Sequence, residues 1–449
     1  MRKTMCLAAV LLVGGCLGSA PSGGGGEPGG PGGDPASGGS GGAGGSDGTG
    51  GMTPAQGRTY YADALPVFQR NCMPCHAAGG SGTPALDTYL SASSSIHSIL
   101  AAVANGTMPP FPPAAGCNQY EGELRLSAAD KGVLMDWAAS GTPEGDAADA
   151  PPYSPPGTSL GTPDRTLGGV SFTPVYPGTA GPDDVYWCFP LDPGVTVATD
   201  LVAAEVIPGT LNEVHHVIIA RDPGGAGTAG KPATGFECDG VPGQLLYAWV
   251  PGARPFQLPS GVGMTLAPTD KLYMQMHYHR NPSVTPSPDK TTTRLYYAKS
   301  TQAQHAWTVW TGTPTFTIPP NTTDFPVDAN CTVTGDWQII GVAPHMHNLG
   351  TRFATSATVS GADACLMQIP RWDFNWQGGY NLQKPVTLKA GDRIATHCTY
   401  NNNTALPVSF GESTGNEMCF GFLTVIAAAQ PTFVAPVNVV TGLTNLCAL

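Results

Sequence analysis

The sequence predicts a multidomain chain in which a short α-helical region precedes a long all-β region. Three observations point that way. At 449 residues the chain exceeds what one ordinary core serves. Its 60 Gly and 44 Pro, with only 12% charged residues, suit β-sandwiches with long loops better than helical bundles. From about residue 165 onward, helical spacing gives way to short β-branched and aromatic runs separated by Pro/Gly turns. The net charge of −12 argues against nucleic acid as a partner, because no basic stripe is present to neutralise phosphates.

The N-terminus reads as an export signal. Arg2 and Lys3 precede an apolar run from Met5 to Val13 that is too short to span a bilayer. The run ends in Leu12-Val13-Gly14-Gly15-Cys16, which looks like a bacterial lipobox whose Cys takes a diacylglycerol. Residues 1–20 are therefore expected to be a lipoprotein signal, with Cys16 as the membrane anchor. Gly/Ser-rich residues 21–57 bury too little apolar surface to fold and read as a tether. An exported lipoprotein on the periplasmic or cell-surface side of a membrane follows. The 12 cysteines fit that oxidising compartment.

The helical region, 58–145, opens with apolar residues at helical spacing from Tyr60 to Gln69, then Cys72-Met73-Pro74-Cys75-His76. Cys-x-x-Cys-His is the attachment signature of a c-type haem. By that signature Cys72 and Cys75 would form thioethers with the vinyl groups, and His76 would be the proximal iron ligand. A thioredoxin-like dithiol would need a βαβ context that is missing. Met108, in the Pro-braced run Gly106-Thr107-Met108-Pro109-Pro110, is the candidate sixth ligand; His97 and Met135 are the alternatives, one reading as helix surface and the other as core. A closing helix is expected over Leu124 to Ala139, with Ser127 as N-cap. These features resemble a small class I cytochrome c domain and imply an all-α fold carrying one covalent haem c. Residues 146–164 are a Pro-rich linker.

Eight of the ten histidines lie in the β region, and six of them form three clusters. His215 and His216 are adjacent, so on a strand they face opposite sides and reach one metal only at a strand end or bulge. Alone, such a pair is more often plain surface. In Met276-His277-Tyr278-His279, alternation puts His277 and His279 on one face. In His345-Met346-His347, a strand would point both imidazoles the same way, a common chelate. Three purely structural clusters in one low-charge exported chain is the less economical reading.

With these residues in place, the region from about 165 to 430 resembles the copper type II ascorbate-dependent monooxygenases, which include peptidylglycine α-hydroxylating and dopamine β-monooxygenases. The resemblance rests on Val214-His215-His216-Val217, Leu246-Tyr247-Ala248-Trp249, Leu258-Pro259-Ser260-Gly261, Met276-His277-Tyr278, His345-Met346-His347-Asn348, Cys398-Thr399-Tyr400-Asn401 and Asn416-Glu417-Met418-Cys419, in that order. It implies two all-β jelly-roll sandwich domains, over 165–302 and 303–449, each carrying one copper. His215, His216 and His277 would hold the electron-accepting copper. His345, His347 and Met418 would hold the copper at which O2 and substrate react, two imidazoles and a thioether favouring Cu(I). The resemblance also implies the disulfides Cys398–Cys419 and Cys188–Cys238; Cys117, Cys331, Cys365 and Cys447 stay unassigned. His279 and His397 take no ligand role and read as second layer or surface, and His305 as structural.

The sequence departs from the peptide-amidating branch, whose substrate-carboxylate Arg and neighbouring Asn and Tyr are here Ala343, Phe420 and Phe422. A buried carboxylate would have no partner. The expected activity is therefore O2-dependent hydroxylation of a C–H bond in an unidentified small apolar or aromatic molecule. Electrons would come from an external donor, ascorbate-like or a redox protein, through the haem. The competing expectation is a periplasmic copper/haem electron-transfer or copper-binding protein without oxygenase turnover. A zinc hydrolase explains neither Met418 nor the haem motif.

Overall fold

The computed structural model describes residues 57–78, 82–111, 113–153, 160–176, 183–211, 213–238, 243–251, 253–280, 285–434 and 446–448. The expected signal, the lipid site at Cys16 and nearly all of the tether lie outside these residues. Among the described residues, no helix is long and apolar enough to cross a membrane.

Two stacks of sheets form the β region. A five-stranded sheet contains the strands Asp184–Leu191, Lys271–His279 and Val214–Asp222 side by side. Its inward residues, among them Val217, Ile219, Met274 and Met276, meet Leu201, Val206, Val262 and Leu295 of a ten-stranded sheet. A second five-stranded sheet, containing Thr322–Val333, Gly350–Val359 and Arg393–Asn402, covers the other end of that large sheet. Val327, Phe353 and Ile394 there pack on Val309, Ile339 and Leu423. The alternation of buried and exposed positions along Thr322–Val333 is the signature of a strand with one face on a core.

The ten-stranded sheet runs through both halves. Val262–Leu266 from the first half pairs in parallel with Gln304–Gly312 from the second, Gln304 opposite Val262 and His305 opposite Gly263. Ala306, Ile340 and Ile426 of the second half are buried in the first half's core. The β-sandwich architecture expected from the sequence is present, but the two sandwiches share a sheet rather than closing separately.

The expected fold class is corrected at the N-terminal side. Helices α1 (Leu65–Asn71), α2 (Tyr89–Ala104) and α3 (Ala128–Ala139) are short elements of a mostly β structure, not a separate all-α cytochrome c domain. Thr88 and Ser127 cap α2 and α3 with their hydroxyls, and Tyr60, Phe68, Leu134 and Trp137 fill a small core. The chain between α2 and α3, however, leaves that core and joins the sandwich. Tyr120 is fully buried among sandwich residues and donates its hydroxyl to the Leu366 carbonyl at 2.8 Å. Ala114 N–H donates to the Gln368 carbonyl, and Cys117 is disulfide-bonded to Cys365. Residues Pro54–Leu449 accordingly form one compact unit. The disulfides Cys188–Cys238 and Cys398–Cys419 are both present. Cys117–Cys365 joins residues 248 apart, a pairing no local spacing could signal.

Asp270 fastens the far end of the paired strands Val214–Asp222 and Lys271–His279. It accepts from Arg221 Nε at 2.7 Å and from the N–H groups of Gly224 and Ala267. Burial pushes this carboxyl up, but those bonds outweigh it and hold it below the usual range. A depressed carboxyl adds stability above its unfolded pKa of about 3.9 that is lost as pH falls through the folded value. The gap in unfolding free energy between the wild type and Asp270→Asn should therefore be largest near neutrality and shrink as denaturant titrations move below about pH 4. Replacing Cys117 and Cys365 by Ser should cost about 2–5 kcal/mol. Limited proteolysis of that variant should cut first within residues 105–127.

Candidate metal centre

The first histidine cluster is made by a register shift. Strand Val214–Asp222 pairs with Lys271–His279, and the shift falls between Val214 and His216. That irregularity lets two adjacent imidazoles turn to one side, which a regular strand forbids. His216 Nδ1 lies 3.3 Å from His215 Nδ1 and 3.2 Å from His277 Nδ1. All three nitrogens fall within 4.8 Å of one another. Spacings of this size suit three imidazoles on one ion with metal–nitrogen bonds of about 2.0 Å.

The opposite nitrogen of His277 fixes its tautomer. His277 Nε2 donates to Asp184 Oδ1 at 2.8 Å, leaving Nδ1 unprotonated and aimed at its two partners. His279 Nδ1 donates to the same oxygen at 2.8 Å, and the Thr414 hydroxyl donates to Oδ2. Burial would raise the Asp184 carboxyl, but these hydrogen bonds hold it well below the usual range. Tyr186 stacks on the His277 ring at 4.3 Å. Asp184, His277 and His279 also fall within 4.8 Å, which the direct hydrogen bonds account for.

The second cluster straddles a strand end. His345 closes the strand Trp337–His345, while His347 lies in the turn beyond it, so the expected pair on one continuous strand is corrected. The rings are 5.2 Å apart at 89°. His345 Nδ1 donates to Gln377 Oε1 at 2.6 Å, and His347 Nδ1 donates to the Asn416 carbonyl at 3.1 Å. Both Nε2 atoms are thereby the unprotonated ones. Glu417 brings Met418 to this turn. Its carboxylate accepts from the N–H groups of His347 at 2.9 Å, Leu349 at 2.5 Å and Met418 at 3.3 Å. Burial pushes Glu417 up to about 7 against the pull of those bonds. Cys398–Cys419 and the Tyr400 hydroxyl, which donates to the Met418 carbonyl at 2.7 Å, brace the same segment.

Burial keeps these imidazoles neutral, the ligating form. It is the largest cause of lowering at His215 and His345, both to about 3, and at His216, His277 and His347. The five influence one another electrostatically, as groups gathered in one region do: His347 bears on His215, and His345 on His216. Phe374 stacks on His215 at 4.9 Å and stands edge-on to His347 at 5.9 Å.

Beside His345 the sheet is aromatic. Phe420 lies opposite both His345 and Gly312, and Phe422 opposite both Ala343 and Trp310, so all of these share one face. Trp310 meets Phe420 edge-on at 4.9 Å, and Phe422 is 6.3 Å from the His345 ring. A Cβ at position 312 would lie 1.9 Å from the Phe420 ring, so glycine there seats the aromatic.

Within the helical segment, Cys72, Cys75 and His76 share one turn after α1, where His76 N–H donates to the Cys72 carbonyl at 2.8 Å. His76 Nδ1 donates to the Pro84 carbonyl at 2.8 Å, again leaving Nε2 unprotonated. Burial, with Cys75 beside it, pushes the Cys72 thiol up to about 12, the opposite of an activated dithiol. Met108 is half-buried in the bend after α2. His97 is exposed on α2, Met135 is 60% exposed on α3 rather than core, and His397 pairs with Asp328 at the surface. His305 meets the Thr265 hydroxyl at 3.1 Å.

Residues 304–432 match the family described as "Copper type II ascorbate-dependent monooxygenase, C-terminal domain". Over that stretch the chain is similar to the copper type II monooxygenases. The matched stretch holds His345, His347, Phe374, Gln377, Glu417 and Met418. The chain is 27% identical over 212 residues to DBH-like monooxygenase protein 1 of Gallus gallus, covering 43% of this chain and 34% of that one. It is 26% identical over 195 residues to the dopamine beta-hydroxylase of Canis lupus familiaris, covering 40% and 31%. Over 272 residues it is 26% identical to that of Bos taurus, covering 54% and 44%. The chain thus spans less than half the length of these monooxygenase relatives.

Asp184, Gln377, Phe374 and Glu417 were not singled out from sequence. Asp184 and Tyr186 alternate toward His277, but only the pairing of Asp184–Leu191 with Lys271–His279 puts them there. If Asp184 sets the His277 tautomer, Asp184→Asn should weaken Cu(I) binding by about 10–100-fold in chelator competition titrations.

Proposed function

We propose that this chain is a copper-dependent monooxygenase that hydroxylates a C–H bond of a small apolar or aromatic molecule. The observation that carries the reading is the pairing of unequal clusters. Three converging Nδ1 atoms at His215, His216 and His277 lie one phenyl ring away from the imidazoles of His345 and His347, and Glu417 ties the backbone of Met418 to the His347 turn. The residues fit copper by the chemistry of the donor set, since neutral imidazoles and a thioether suit that ion while zinc has little use for a thioether. Copper held there would supply one-electron redox chemistry at two positions and a Cu(I) able to meet O2.

The stoichiometry is R–H + O2 + 2e− + 2H+ → R–OH + H2O. The chain's own residues do three things. Asp184, Gln377 and the Asn416 carbonyl hold His277, His345 and His347 in the ligating tautomer. Burial excludes protons from those rings. Trp310, Phe420 and Phe422 offer a substrate an aromatic wall with Ala343 beside it, and none of these four side chains is a cation that would pair with a carboxylate. The electrons come from an external one-electron donor, ascorbate-like or a redox protein.

We also infer a covalent haem c on Cys72 and Cys75 with His76 as proximal ligand and Met108 opposite, serving as entry point for those electrons. The motif and the free Nε2 of His76, fixed by the Pro84 carbonyl, support it. The haem sits in this reading on a helical segment fused into the sandwich unit, not on an independent domain. An exported, lipid-anchored protein with Cys16 in a periplasmic or cell-surface membrane completes the proposal, supported by the N-terminal pattern and by the disulfides Cys117–Cys365, Cys188–Cys238 and Cys398–Cys419.

Metal and haem analysis of the purified protein should return two coppers and one haem per chain, and O2 uptake should depend on an added aromatic substrate. His345→Ala should lose about one copper equivalent and all substrate-dependent uptake. Zinc in place of copper would sink the reading. Copper and haem without substrate-dependent uptake would favour an electron-transfer protein instead.

A further inference from the structure

One short segment, Arg371–Gln377, touches the helical part and both histidine clusters. At its start Arg371 donates to the carbonyls of Asn105 at 3.3 Å and Gly106 at 2.8 Å, just past the end of α2. Next, Trp372 donates its indole N–H to the His347 carbonyl at 3.0 Å and its backbone N–H to the Thr351 carbonyl at 2.8 Å. It is buried against Gly350, where an added Cβ would lie 2.8 Å from the indole. The segment then turns on Asp373, whose carboxylate accepts from the backbone and side-chain amides of Asn375, both at 3.0 Å. At its end Gln377 takes the His345 Nδ1–H and donates its own amide to the Phe374 carbonyl at 2.9 Å.

Between those anchors the Phe374 ring lies flat on His215 and edge-on to His347. It is thus in ring contact with an imidazole of each cluster. Neither cluster needs a phenyl ring for its own hydrogen bonding. What the ring occupies is the gap between them. Both contacts are of the offset and edge geometries that aromatic quadrupoles favour. With Arg371, Trp372 and Gln377 pinned on either side, the ring has little freedom to leave.

We propose that Phe374 is a positioning residue that sets the separation of the two metal sites, and that Arg371–Gln377 is the strap holding it in place. The proposal rests on the copper reading above, because the quantity it fixes is the copper–copper distance. That distance would set the rate of one-electron exchange between copper held at the two sites, the external donor replacing the electron that the His215/His216/His277 site gives up.

Pulsed electron paramagnetic resonance on the full-length protein, loaded with Cu(II) alone, reads this distance without turnover. The wild type should give one narrow copper–copper distance distribution. Phe374→Leu should keep its copper content while the distribution broadens and shifts to longer distance, and Phe374→Tyr should restore the narrow one. A Phe374→Leu protein with full copper and an unchanged narrow distribution overturns the proposal. If Phe374→Leu loses copper or does not fold, Arg371→Ala decides. Its side chain is exposed, and broadening supports the strap while an unchanged distribution overturns it. A wild type that holds fewer than two Cu(II) ions would instead overturn the copper reading, so the two failures are distinct.

Discussion

Much of the site turns on one buried carboxylate. Asp184 receives His277 and His279 on one oxygen and Thr414 on the other. The first bond selects which nitrogen of His277 faces His216. The last ties the first sandwich to the loop whose Asn416 carbonyl selects the nitrogen of His347. A carboxylate removed from water is costly unless its lone pairs are used, and three donors make this one affordable. The Asp184 bond enforces the tautomer that turns the His277 Nδ1 lone pair toward His216 and His215. A cation bound as proposed above would be held where those three rings meet.

Around that carboxylate the molecule is joined across what would otherwise be separate parts. The large sheet runs from one sandwich into the other, and Ile340 and Ile426 of the second half complete the first half's core. On the other flank, Tyr120 and Cys117–Cys365 bind the chain between α2 and α3 to the second sandwich. The two histidine clusters need such continuity. A gap occupied by one aromatic ring is set to within about an ångström only if the walls on both sides belong to the same packed body.

The legible part of the site was its donor chemistry. Cys72, Cys75 and His76, the adjacent pair His215 and His216, and His345 with His347 are visible because their spacing is short. A bulge or strand end was required for His215 and His216 to meet, and the register shift beside them meets that requirement. The apolar replacements at Ala343, Phe420 and Phe422 were also legible, and they line up across neighbouring strands. Not legible were the residues that orient the ligands. Asp184 lies 93 residues before His277 and Gln377 lies 32 after His345, and an isolated Asp or Gln carries no sign of its partner. The helical segment misled for a related reason. Its Ser127 cap is local and was read correctly, while the Thr88 cap of α2 went unread, and a local pattern cannot say whether a helix packs on its neighbours alone or also on a sheet far along the chain.

By itself, then, the sequence determined which atoms are available: imidazoles, a thioether, a haem-type Cys-x-x-Cys-His, an aromatic wall, and strands with one face for burial. These follow from residue type and short-range periodicity, which survive without knowledge of contacts. Only the tertiary structure decided how the donors are used. Tautomers, the bulge, the shared sheet, the Cys117–Cys365 tie and the ring of Phe374 between the clusters all depend on pairs distant in the chain. Hydrogen bonds and van der Waals contacts act over a few ångströms, so only the folded chain brings such partners within range.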